Sequence, residues 1–288
     1  LRRASMVQLP IPYCFIALLP LSAGLLLQEG HVFGEARRAW QPATVPDVRV
    51  DVFYEVLCPY SQQFFSDGLG PVWNETELRS RIDLRLYPYG NAQTQPATQV
   101  SEGFHFWHQE LYQPGFDYVF NCQHGPDECF GNMIHACAIQ HFADPEVYMP
   151  LFFCMMSRPS HSSEKSSFEC AQALGLNISD IRTCVLGSQG NQLLNNVGVQ
   201  TSNLRVRPQN ESSVWVPWVL INGAHNEIAE SDGNSGVRGR LLKQLCLAMQ
   251  DPLPAVCAAT PAAANTTEAT GEAAASGGCG GSSEGSLC

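Results

Sequence analysis

The sequence predicts an α/β domain carrying a disulfide-stapled helical insertion. Three observations predict it. Between residues 48 and 87 an alternating strand runs into a cysteine-bearing turn, a helix-compatible stretch and a second strand. Residues 96–200 lack convincing strands and hold six cysteines, from Cys122 to Cys184. Strand character then returns at residues 215–223.

The elements follow in order. Val48 to Val56 alternates apolar and polar residues and becomes more apolar at its end, the pattern of a half-buried strand. Pro59 suits a first helical turn, where its missing N–H is not needed. Phe64, Phe65 and Leu69 supply an apolar face to that helix, and Gly68 and Gly70 are expected to end it. Ile82 to Tyr87 is the second strand. Asn132 to Phe142 and Glu146 to Met156 read as helices of the insertion. Trp215 to Ile221 is a strand, and Asn222-Gly223 is a strong hairpin-turn signal. His225 to Ala229 is expected as the return strand and Gly239 to Met249 as the final helix.

The ends look different from the middle. Residues 1–30 place Arg2 and Arg3 before an apolar run from Cys14 to Leu27, the layout of a secretory signal peptide; a membrane anchor is the alternative. Residues 31–46, with Arg37-Arg38, read as a linker or propeptide. Residues 47–257 form the expected domain, with the insertion at about 96–200 by its loss of strand pattern. Residues 258–288 are rich in Ala, Gly, Ser, Thr and Glu, cannot bury a core and read as a disordered tail. The net charge of −11 is spread along the chain without a basic patch, which argues against nucleic-acid binding. No stretch after the leader is apolar enough to span a membrane. Four Asn-x-Ser/Thr sites, at Asn74, Asn177, Asn210 and Asn265, fit a glycoprotein on the secretory route.

Twelve cysteines in a chain with a leader argue for disulfides. Without Cys14 eleven remain, and with Cys58 kept as a thiol ten are left to pair. Structural bridges are therefore expected among Cys122, Cys129, Cys137, Cys154, Cys170, Cys184, Cys246 and Cys257, with pairing left open. Cys279 and Cys288 sit in the tail.

Cys58 carries the chemistry. It lies between strand and helix in Cys58-Pro59-Tyr60-Ser61, where helix dipole and free N–H groups favour the thiolate, the form that attacks disulfides. The spacing is that of a C-x-x-C redox pair, but the fourth position is Ser61. The chain keeps the attacking thiol and lacks the resolving one. Ser61 is expected to donate a hydrogen bond to the Cys58 thiolate instead. Tyr60, between them, either packs on the surface or touches substrate.

A second motif places the chain among known proteins. Cys122-Gln123-His124-Gly125, Glu128-Cys129, Asn132 and Cys137 reproduce the pattern CQHGx2ECx2Nx4C. The chain resembles the gamma-interferon-inducible lysosomal thiol reductase family over roughly residues 46–257. The resemblance implies a thioredoxin-like fold with a helical insertion. It also implies disulfide reduction on endocytosed proteins in acidic compartments, in support of antigen processing. The family's second active-site cysteine corresponds to Ser61, which leaves turnover open but not the fold. Thioredoxin-like folds place a cis-proline loop beside the reactive cysteine; Pro217 fits that role, and Val216 would pair its backbone with an extended substrate. Trp215 and Trp218 form a rim or pack inside.

Other readings of the same residues are weaker. Cys122, His124, Cys129 and Cys137 have metal-ligand chemistry, but the spacing is not a standard zinc pattern and disulfides explain the cysteines better. His124 is expected to hydrogen-bond locally, and His135 and His141 to be as readily solvated. The sequence around Cys58 does not resemble that of a cysteine protease. The expectation is a thiol–disulfide oxidoreductase of the lysosome, endosome or extracellular space, acting on disulfide-containing or unfolded proteins. It needs no bound cofactor or metal and takes electrons from a small external thiol. The alternative is a non-catalytic, chaperone-like binding module that keeps the fold.

Overall fold

A computed structural model describes residues 46–99, 116–158, 162–204, 215–233 and 238–259. Strand β1 (Val48–Tyr54) is the centre of the site-bearing sheet. It is followed by helix α1 (Pro59–Phe64), a π-helical turn (Phe65–Leu69), α2 (Gly70–Asn74), α3 (Thr76–Arg79) and β2 (Ile82–Pro88). Strands β3 (Gln93–Pro96) and β4 (Tyr118–Asn121) come next, then five helices: α4 (Pro126–Phe142), α5 (Pro145–Met156), α6 (Ser163–Leu174), α7 (Ser179–Val185) and α8 (Ser188–Leu204). Strands β5 (Trp218–Ile221) and β6 (Ala224–His225), then α9 (Glu227–Glu230), α10 (Arg240–Ala248) and α11 (Ala255–Ala259), complete the described chain.

The main sheet has the order β2-β1-β5-β6. β1 and β2 are parallel, with Val48 opposite Ile82 and Phe53 opposite Tyr87. β5 runs antiparallel to β1, and β6 antiparallel to β5. This is the thioredoxin-like arrangement. A parallel pair requires a crossover, and the helical stretch 59–79 supplies it.

Strand alternation explains why β1 is buried on both faces. Val48, Val50, Val52 and Tyr54 point into the main core, with the insertion helices. Phe53 points the other way and joins Tyr87, Trp218 and Leu220 in a smaller cluster. The Phe53 and Tyr87 rings stack with centroids 4.5 Å apart. Buried Asp51 shares that second face and is compensated by Arg49 at 2.8 Å and the Tyr87 hydroxyl at 3.1 Å.

Helix α4 organises the insertion. Cys129, Gly131, Asn132, Met133, Ile134, His135, Ala136, Cys137 and Ala138 are all buried, as in a helix surrounded by others. Gly125, at φ +87°, and Pro126 set its start. Asp144 caps α5 through the Glu146 N–H, and Ser162 caps α6 through the Lys165 N–H. Between described residues four disulfides staple the domain: Cys122–Cys129, Cys137–Cys184 (α4 to α7), Cys154–Cys170 (α5 to α6) and Cys246–Cys257 (α10 to α11). The eight cysteines expected to be structural pair among themselves.

Four expectations need correction. Gly68 and Gly70 do not end the first helix, which continues through the π-turn into α2. Gly68 is there for packing: a Cβ would lie 2.7 Å from the Phe64 ring. The stretch 96–200 is not strandless, since β4 pairs with β3 in a separate two-stranded sheet. Four residues are too few to show alternation, so only the pairing reveals that strand. The return strand after Asn222-Gly223 stops at His225, because Asn226 accepts the Ala229 N–H at 2.9 Å and starts α9. The turn itself is as expected, with φ +52° at Asn222 and +82° at Gly223. His135 is fully buried rather than solvated.

Candidate active site around Cys58

Beyond Tyr54 the chain leaves the sheet, and its backbone polar groups need new partners. Three side chains supply them. Ser61 Oγ accepts the Glu55 N–H at 3.3 Å, Asn132 Oδ1 accepts the Val56 N–H at 3.1 Å, and Gln62 Nε2 donates to the Val56 carbonyl at 2.9 Å. The turn that presents Cys58 is thus pinned from α1 and from α4. Sequence reasoning missed Gln62 and gave Asn132 no role. Ser61 is fully buried, and its located bond is to the Glu55 backbone rather than the expected donation to Cys58.

Cys58 is the N-cap residue of α1, with extended backbone (φ −65°, ψ 122°). The helical backbone that starts at Pro59 continues to Asn74, so unsatisfied N–H groups of a multi-turn helix gather around Cys58. The sulfur lies 3.6 Å from the carbonyl oxygen of Val216, and the Val216–Pro217 peptide is cis. Cys58, Val216 and Tyr60 form one small apolar cluster. Trp215 is half exposed, with its ring centroid 6.1 Å from that of Tyr60, whereas Trp218 is buried. Gly233 wedges the two sides together. A Cβ there would sit 2.7 Å from the Tyr60 carbonyl and 3.1 Å from the Pro217 ring. Nothing in the sequence flagged Gly233.

The expectation of a Cys58 thiol is corrected in one respect: Cys58 is disulfide-bonded. Cys14, Cys279 and Cys288 lie outside the described residues.

The CQHG segment lies between β4 and α4, closed by Cys122–Cys129. His124 Nδ1 is 2.5 Å from Glu128 Oε2 and 3.6 Å from Glu55 Oε2. These three residues could hold a cation, since their ligand atoms lie within 4.8 Å of one another. The short His124–Glu128 contact is that of a hydrogen-bonded pair rather than of ligands spread around an ion. Cys122, Cys129 and Cys137 are committed to disulfides and have no thiolate to offer a metal.

A family model for the gamma interferon inducible lysosomal thiol reductase matches residues 49–174. The gamma-interferon-inducible lysosomal thiol reductase of Carassius auratus is 31% identical over 215 residues, covering 73% of this chain and 72% of that protein. The chain belongs to the gamma-interferon-inducible lysosomal thiol reductase family. The mouse protein of that name is 30% identical over 179 residues, with 62% and 61% covered. A GILT-like protein of Caenorhabditis elegans is 29% identical over 210 residues; the match covers 73% of this chain but only 55% of that protein. Among solved structures, DsbA of Chlamydia trachomatis aligns with a TM-score of 0.43 at 14% identity, covering 69% and 85% of the two chains.

Within this thiol reductase family member, the signature residues serve one end of the domain. Glu128 holds the His124 ring, Asn132 holds the Cys58 turn, and Cys122–Cys129 and Cys137–Cys184 fix α4. Asn74 and Asn177 are exposed, as glycan acceptors must be; Asn210 and Asn265 lie outside the described residues. His141 is part-exposed, 3.7 Å from Asp180.

His135 makes stability depend on pH. Its Nδ1 meets the Tyr54 hydroxyl at 2.8 Å and its ring stacks on Phe152. Burial pushes its pKa down to about 3. The unfolded chain takes up a proton below about pH 6.5 that the folded chain refuses, so stability falls as pH drops from there toward 3. We expect about 2 kcal/mol of loss from this group at pH 5, from 1.36 kcal/mol per unit. In an NMR titration the His135 ring signals should not move between about pH 7 and 5. A midpoint near 6.5 would show the ring is not held neutral.

Proposed function

We propose that this chain is a thiol–disulfide oxidoreductase that acts on protein disulfides through Cys58, with a small external thiol completing each turnover. The position of Cys58 carries the reading. Its sulfur is held at a helix start beside the Val216 carbonyl, 3.6 Å away, where the backbone of an extended segment can pair. Family membership supports the same chemistry. Tyr60, Val216 and Pro217 form the substrate edge of the site, with Trp215 beside them.

Once its own disulfide is reduced, the Cys58 thiolate attacks one sulfur of a substrate disulfide. A Cys58–substrate bond forms, and the other substrate sulfur leaves as a thiolate and takes a proton. A small thiolate then attacks the Cys58 sulfur and releases the second substrate thiol. A second equivalent frees Cys58 and leaves as the small-molecule disulfide. Ser61 enters none of these steps, since a hydroxyl does not resolve a mixed disulfide. The cycle needs no bound cofactor.

Substrates are unfolded or disulfide-containing proteins of the secretory or endolysosomal route. Four internal disulfides fit an oxidising compartment. Among the described residues no helix is long and apolar enough to cross a membrane. We read residues 1–30 as leader, 31–46 as linker and 258–288 as tail; these lie almost wholly outside the described residues.

The test compares the protein with a Cys58→Ala variant, in excess small thiol at about pH 5, where free thiols are mostly protonated. The variant should lose all reduction of a denatured disulfide protein above background. It should also lose dithiothreitol-sensitive adducts on non-reducing gels. Equal rates would remove Cys58 from the chemistry and favour the binding-module reading.

A further inference from the structure

We propose that Glu55, His124 and Glu128 form an acid-closed clasp, in which the His124 imidazolium ties the Cys58 turn to the Cys122–Cys129 loop. The clasp is a positioning device and stands whether or not Cys58 turns over.

Each arm is anchored. Glu55 sits three residues before Cys58, and its backbone N–H is held by Ser61. Its side chain is fully buried, and Oε1 accepts the Asn91 N–H at 2.6 Å. Gly90, at φ +58°, lets the β2–β3 turn press onto this carboxylate; a Cβ there would lie 2.1 Å from Glu55 Cγ. Glu128 is in the first turn of α4 and is also fully buried. Its Oε1 accepts the His124 N–H at 3.2 Å while Oε2 meets the ring at 2.5 Å. The ring is 3.6 Å from Glu55 Oε2.

Among the described residues, the charged groups facing His124 are these two carboxylates. Asn91 and Gln123, bonded to each other at 2.9 Å, are neutral. Asp127 turns away to the Ser163 N–H. Two buried carboxylates this close repel and are costly to keep ionised together unless a cation lies between them. His124 is placed to be that cation, and it is partly exposed, so protons can reach it.

The direction of its titration agrees. The hydrogen bond to Glu128, then the charges of Glu128 and Glu55, raise the His124 pKa against the opposing effect of burial. A base with a raised folded-state pKa contributes stability that is complete below about pH 6.5 and lost as pH rises through the folded value. The clasp is therefore shut in acid and released as pH climbs above about 6.5 and through the raised His124 value. His135 works in the opposite sense, so global loosening by His135 cannot imitate release at high pH.

Amide hydrogen exchange on the oxidised protein tests this, at about pH 5.5 and 7.5 with intrinsic rates corrected. The amides held by the carboxylates, Asn91 and His124, should lose at least about ten-fold protection at the higher pH. Amides of α5 and α6, stapled by Cys154–Cys170, should not. His124→Gln or Glu128→Gln should leave the two amides equally protected at both pH values. Equal protection in the unaltered protein, or a pH-dependent loss that persists in both variants, would overturn the clasp. Should neither variant fold, the unaltered protein alone decides.

Discussion

Replacing Ser61 by cysteine should raise the rate of protein-disulfide reduction by about ten-fold or more when external thiol is well below millimolar. Ser61 occupies the third helical position after the N-cap Cys58, on the same first turn. It is fully buried against the start of α1. A thiol there competes as a tethered nucleophile, with an effective concentration on the order of millimolar or above. The variant gives up the Ser61 bond to the Glu55 N–H, which is long at 3.3 Å, and the expected loss is about 0.5–1.5 kcal/mol. The gain should vanish as external thiol is raised, and the trapped adducts should disappear. A rate unchanged at low thiol would show that release of the mixed disulfide is not the slow step, and Ser61 would lose its place in the argument.

Gly131→Ala should destabilise the domain by about 1–3 kcal/mol, although the same change in an open helix stabilises by up to about 1 kcal/mol. The reversal follows from what faces Gly131 in the middle of α4. A Cβ would lie 2.4 Å from Val56 Cγ2 and 2.5 Å from Ser163 Oγ. Val56 stands two residues before Cys58 and donates its backbone N–H to Oδ1 of Asn132, the residue after Gly131. The added methyl therefore pushes on the active-site turn as well as on the core. The expected fall in melting temperature is about 2–4 °C per kcal/mol for a domain of this size. Thermal melts, with the rate of Cys58 alkylation after mild reduction as second readout, check both effects. A stabilised variant with unchanged alkylation would mean that the α4–turn contact is looser than the geometry requires.

The sequence made some elements legible and hid others for identifiable reasons. Alternation over Val48–Val56 and Ile82–Tyr87 revealed β1 and β2 because each has one strongly apolar face. Asn222-Gly223 revealed the hairpin because its positive φ angles are cheap for those residues. β4 has four residues and no pattern, so pairing alone defines it. Gly68 read as a helix stop because glycine usually is one, and the Phe64 ring against it is a contact no local pattern contains. Ser61, Tyr60, Val216 and Pro217 were legible through motif and fold order, and the structure gathers them around Cys58. Gln62, Asn132 and Gly233 act through backbone groups of distant residues, and such bonds leave no sequence signature.

By itself the sequence determined the α/β class, singled out Cys58 as the candidate nucleophile, showed serine at position 61 in place of its usual partner, and marked the eight cysteines that pair. Periodicity, parity and short motifs are properties of neighbouring residues, so they survive without coordinates. Only the tertiary structure decided which cysteines pair, what Ser61 binds and where the signature residues act. It alone placed Glu55 of β1's end against His124 and Glu128, residues far apart in the chain. Burial and charge proximity arise when elements pack, and they set an ordinary histidine between two buried glutamates.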